Sequence, residues 1–175
     1  MGYATRVMAR NQEKFRTVNI GRFQIRDSLE HIPSSLDSLM TDLCKDNSFT
    51  FPILRQFKPY KKLPLRKKSR GLKLLKRKGV YAYEHFTSYD SLKVDKFPPQ
   101  EAFYSSLNDA HISSEDYKHG KDVYKFFQCK SMEDYMKLYC GLDVILLAEI
   151  FIKYREMVIH HFELDPVYYL GKYFT

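Results

Sequence analysis

The spacing of hydrophobic and polar positions changes several times along the chain, and each change predicts an element. Phe23-Gln24-Ile25 alternates with the two-residue period of a strand, and Asp27-Ser28 ends it. In PSSLDSLMTDLCK the apolar residues Leu36, Leu39, Met40 and Leu43 recur at helical spacing. Ser34 or Ser35 supplies a cap there, and Asp37 sits in the first turn, where a carboxylate suits the exposed N–H groups. KGVYAYEHF and KFPPQEAFYSSL are aromatic and turn-rich, with Pro98-Pro99 excluding a helix. Ser113-Ser114-Glu115 opens a helix running to about Phe127. Ser131-Met132-Glu133-Asp134 opens another running to about Phe162, where ELDP stops it. No internal repeat is visible. The predicted order is a strand followed by several helices, the last one long.

That last helix carries an aspartate, Asp143, inside the apolar run YCGLDVILLAEI. On a wheel of about 100° per residue, Met132, Met136, Tyr139, Leu146, Leu147, Ile150, Tyr154 and Met157 fall in its direction. Leu138, Ile145, Ala148 and Ile152 cover the opposite side. The pattern predicts Asp143 at the centre of an apolar stripe on an enclosed helix. A charge there must be compensated or stay protonated. A buried cation, several donors or a bound metal each meets that need. Tyr139, one turn earlier, adds a phenol beside the carboxylate in the spacing Y-x-x-x-D.

Composition narrows the class. The 175 residues suit one domain or part of a larger one, and 44% hydrophobic residues supply a core. No apolar run reaches bilayer length, and the start has no signal-peptide core, so no membrane partner is expected. Three cysteines without a CxxC argue against a disulfide framework or a cysteine zinc site and suit an intracellular compartment.

The charge of +8 is concentrated. Residues 58–78 hold eleven Lys or Arg and no acid; without those eleven charges the total becomes −3. Two readings fit: a solvated connector or import-like run, or a loop that tracks phosphates with Tyr60 and leucines interleaved.

Several stretches, in order, resemble the 3′–5′ exonuclease domain of the protein-primed family-B DNA polymerases of viruses, linear plasmids and virus-like transposons. They are RDSLEHIPSSLDSL, RKGVYAYEHFTSYDSL, FPPQEAFYSSLNDAHISSEDY and DYMKLYCGLDVILLAEIFIKYREMVIHHFELDPVYY, which together cover most of residues 16–170. The resemblance implies an α/β chain: a partial ribonuclease H-like exonuclease domain, mostly helical, with a long C-terminal helix. It divides the chain into a strand and helix (1–57), a basic linker or insertion (58–78) and a helical remainder (79–175).

By position, Tyr139 and Asp143 match the third exonuclease motif, whose aspartate binds metal and whose tyrosine orients the attacking water. Ser28 and Leu29 match the motif that holds the single-stranded primer end. Lys78 resembles the lysine that steadies the scissile phosphate, with Tyr81 in the hydrophobic place of that motif, and the resemblance implies Tyr83 as a further primer contact. The implied cofactor is Mg²⁺ or Mn²⁺; the implied partners are DNA, as primer end and template, and the remaining polymerase segments.

The sequence contains no Asp-x-Glu, which the first motif of that family requires; the second motif and the palm motifs are also absent. The chain therefore resembles the second half of an exonuclease domain, expected to be inactive alone. A non-catalytic nucleic-acid-binding remnant and a decayed helical protein are the rival readings. An intracellular, nuclear or mobile-element location suits all three.

Overall fold

A three-stranded antiparallel meander opens the computed structural model, which describes residues 5–9 and 15–169. Strand β1 (Thr5–Ala9) pairs with β2 (Phe15–Ile20), and β2 pairs with β3 (Phe23–Arg26) through the two-residue turn Gly21-Arg22. Only β3 is legible from alternation. In β1 and β2 apolar residues mix with Arg6, Thr17 and Asn19, and Val7 and Met8 stay half exposed, so no single face is marked. Asp27 ends β3 as expected: its carboxylate accepts from the Leu29 N–H at 3.0 Å and caps a short 3₁₀ turn, Ser28–Glu30.

Among the described residues five α-helices follow: α1 (Leu36–Lys45), α2 (Lys58–Lys61), α3 (Leu65–Leu75), α4 (Ser114–Phe126) and α5 (Met132–Phe162). The helices α1, α4 and α5 lie where their patterns predict. In α4 the Ser113 hydroxyl accepts from the Asp116 N–H at 3.0 Å, the N-cap that the sequence announces. No described helix is long and apolar enough to cross a membrane.

The chain forms two units, residues Met1–Ser35 with Phe151–Thr175, and Leu36–Ile150. In the first, Arg26 donates to the backbone carbonyls of Val167 (2.5 Å) and Tyr169 (3.1 Å), joining β3 to the 3₁₀ turn Pro166–Tyr168. Arg155 on α5 grips Asp165 with both ends of its guanidinium. In the second unit, Met40, Phe51, Leu54, Leu75, Tyr135 and Leu146 are all but fully buried.

Residues 58–78 are not an irregular loop. They hold α2 and α3, and the interleaved leucines have a packing role: Gly71 and Leu75 are buried, with Leu72 and Leu74 half-buried beside them. The dense charge masked that stripe.

A second correction concerns α5. Its buried face runs through Met132, Tyr135, Leu142, Leu146 and Glu149, which places Asp143 on the flank rather than the centre. Leu147, Ile152 and Met157 are exposed, so the helix is not enclosed throughout.

Candidate metal and nucleic-acid site at Tyr139 and Asp143

Four of the six residues singled out in the sequence come together in the second unit. The segment Lys78–Tyr83 runs along α5 and is held there by aromatic packing. Gly79 lies against the Tyr139 ring so closely that a Cβ would come 2.7 Å from the Tyr139 Cδ2 atom. The Tyr135 hydroxyl donates to the Val80 carbonyl at 2.8 Å. Tyr81 stacks on Tyr139 with ring centroids 5.5 Å apart. Tyr81, in the hydrophobic place of the lysine motif, is thus a packing residue.

Tyr139 is buried and links two partners. Its hydroxyl lies 2.5 Å from the Tyr83 hydroxyl and is near enough to the Asp143 carboxylate for each group to shift the other's pKa. An ionised carboxylate only accepts. A Tyr139 hydroxyl that turns its proton toward Asp143 leaves its oxygen to accept from Tyr83. The three groups run in the order Tyr83, Tyr139, Asp143, from an exposed phenol to a half-buried carboxylate.

The carboxylate is under-satisfied. Its Oδ1 atom is buried without a hydrogen-bond partner. Burial pushes the Asp143 pKa above the usual aspartate range, against the opposing pull of the Tyr139 hydroxyl and the positive charge of Lys78. Tyr139 itself is pushed up by burial first, then by its bonds to Tyr83 and Asp143, so it stays a phenol.

This donor set fits a divalent cation in one way. Mg²⁺ takes oxygen ligands and is often held by one or two carboxylates together with substrate phosphates and waters. The unpartnered Oδ1 offers one such ligand, and Lys78 lies close enough to act on the same charge. Among the described residues no group of three or more His, Cys, Asp or Glu is poised to hold a metal. Asp143 would therefore hold a metal only in concert with phosphate or with further carboxylates.

Ser28 and Leu29 lie in the first unit, at the 3₁₀ turn capped by Asp27, with Leu29 exposed. The wheel missed one acid altogether. Glu149 is 0% exposed. Seven residues after Leu142, it falls within about 20° of that core residue on the wheel, which is the signal that marks it as buried. No protein-family model matches this chain, nor does any curated protein or solved structure.

Proposed function

We propose that this chain is part of the 3′–5′ exonuclease domain, ribonuclease H-like in fold, of a protein-primed family-B DNA polymerase. The whole protein would copy a DNA template and proofread the primer end. The observation that supports this reading is the hydrogen-bonded pair of Tyr83 and Tyr139 beside the Asp143 carboxylate. It joins segments 56 residues apart next to a buried carboxylate oxygen that has no hydrogen-bond partner.

In that reading Asp143 ligates one metal, and Tyr139 holds the Asp143 carboxylate in place and orients the attacking water. Lys78 neutralises the scissile phosphate, Tyr83 meets the primer strand, and Ser28 and Leu29 hold the single-stranded end. Two divalent ions supply an activated water and stabilise the leaving 3′ oxygen when bound. One carboxylate does not hold two ions, so this chain alone binds without turning over. The missing ligands belong to an Asp-x-Glu elsewhere in the polymerase.

Mn²⁺ broadening of amide resonances tests the metal assignment without needing activity. Resonances of Lys78–Tyr83 and of α5 around Tyr139 should broaden selectively at low Mn²⁺, and Asp143→Asn should remove the effect. Uniform or absent broadening sinks Asp143 as a ligand. Mg²⁺-dependent digestion of a 3′ single strand by the purified chain, lost in Asp143→Ala, would show instead that the site is complete.

A further inference from the structure

We propose that the cleft between the α2–α3 hairpin and the α4–α5 turn binds the sugar–phosphate backbone of single-stranded nucleic acid, separately from Asp143. The cleft has a volume of about 700 Å³, and Lys58, Lys62, Lys67 and Lys137 stand along it. Its one carboxylate, Asp134, is already engaged, accepting from the Lys130 N–H at 2.9 Å. Through Lys67, Phe126 and Gln128 it continues into a second hollow of about 350 Å³. There Arg66, Arg70 and Lys125 add charge and no acid lines the wall.

Few of these cations are neutralised. Lys137 pairs with Glu133 at 2.5 Å, whereas Lys58, Lys62, Arg66, Lys67, Arg70 and Lys125 form no ion pair with a described carboxylate. Such a run of unpaired positive charge lowers its own repulsion by taking up phosphates and releasing their counterions.

Two of the cations are also positioned in advance. Lys67 and Arg70, one turn apart on α3, both lie over the Phe126 ring, 5.8 and 5.5 Å from its centroid. The close approach at Gly71 fixes this arrangement: a Cβ there would meet the Leu63 Cδ1 atom at 2.3 Å and the Phe126 Cε1 atom at 3.3 Å. Side chains already restrained lose less freedom on binding. Arg70 adds a planar fork that matches phosphate oxygens.

Shape selects among polyanions. A flat anionic bilayer calls for apolar side chains that project from a basic face. Here the aromatic groups Phe57, Phe126 and Phe127 are half-buried in the walls of a concave groove. Basic grooves with aromatic walls suit an unpaired strand, whose bases and backbone are both accessible.

The test uses the full chain and a 5′-labelled oligothymidylate in EDTA, so that metal binding at Asp143 plays no part. Anisotropy titrations across a salt series should show binding that weakens with salt. Arg66→Gln with Arg70→Gln should lower affinity about tenfold or more. It should also flatten the log–log salt slope by about 1.4, from two lost contacts at about 0.7 each. Lys125→Gln, on the other wall, should flatten it by about half as much, which guards against a local disturbance of α3. Unchanged affinity and slope in both variants would overturn the proposal, as would displacement of the oligonucleotide by phosphatidylserine vesicles. Failure of the Mn²⁺ experiment would leave this result standing, because the groove acts without metal.

Discussion

The buried carboxylate of Glu149 accepts a hydrogen bond from the backbone N–H of Leu54 at 2.6 Å, across 95 positions of sequence. Leu54 opens a 3₁₀ turn, Leu54–Gln56, so an acid inside α5 satisfies a donor that the turn leaves free. The other oxygen, Oε2, is buried without a partner. Burial raises the Glu149 pKa, against the pull of the Leu54 and Ile53 N–H groups.

The sign of the pH dependence follows. Between the ordinary value of 4.5 and the raised folded value, the folded chain holds a proton that the unfolded chain has released. This contribution to stability is therefore present at low pH and lost as pH rises through the folded pKa. Glu149→Gln keeps an acceptor for Leu54 and removes the titration. The variant should gain on the wild type as pH rises, reaching on the order of 1 kcal/mol at neutral pH. Glu149→Ala should instead lose about 2–4 kcal/mol, from an orphaned N–H and a cavity. Urea midpoints across the acid range measure both. A constant difference between Gln and wild type would show that folding does not raise the Glu149 pKa.

Glu149 also shows where sequence reasoning reaches its limit. The boundaries of α4 and α5 are legible because Ser113 caps one and ELDP stops the other, both by local chemistry. The face of α5 is less legible, since apolar residues surround the helix and the stripe has no sharp edge. The wheel drawn from Asp143 missed the true axis, whereas one drawn from Leu142 would have found Glu149. Asp143 and Tyr139 stand out from the helix pattern itself, whereas Lys78 and Tyr83 entered through family resemblance. Their spacing alone could not show that Gly79 lets one segment lie flat on the ring of another.

The hydroxyl chain predicts different results for its two phenols. Tyr139→Phe removes the donor that opposes burial at Asp143, so the Asp143 pKa should move further up. The cost to stability should be about 1 kcal/mol. Tyr83→Phe leaves Tyr139 donating and should shift Asp143 little. A ¹³C titration of the Asp143 carboxyl reads both variants directly. Equal shifts would mean that Tyr139 does not donate to Asp143.

Tyr135 serves packing rather than chemistry. It is nearly fully buried, its hydroxyl is donated to Val80, and burial holds its pKa well above that of a free phenol. Tyr135→Phe should cost about 1–2 kcal/mol through the orphaned Val80 carbonyl. Thermal unfolding checks this, and Mn²⁺ broadening around Asp143 should be retained. Loss of that broadening would place Tyr135 within the site.

Gly79 joins the fold to the site most directly. A Cβ at this position meets the Tyr139 ring at 2.7 Å, nearer than any side-chain contact allows. The ring has little room to retreat, because Tyr81 stacks on it and its hydroxyl is engaged by Tyr83. Gly79→Ala should therefore push Lys78–Tyr83 off α5 and destabilise the chain by about 1–3 kcal/mol, the usual cost of overpacking. The Tyr83–Tyr139 bond should loosen with it, so Mn²⁺ broadening should no longer reach Lys78–Tyr83 but should persist on α5 near Asp143. The oligothymidylate affinity of the α2–α3 groove should hardly change in EDTA, since its cations lie on other elements. An alanine variant with wild-type stability and unaltered broadening would mean that Tyr139 moves freely, and that the segment Lys78–Tyr83 does not position the carboxylate.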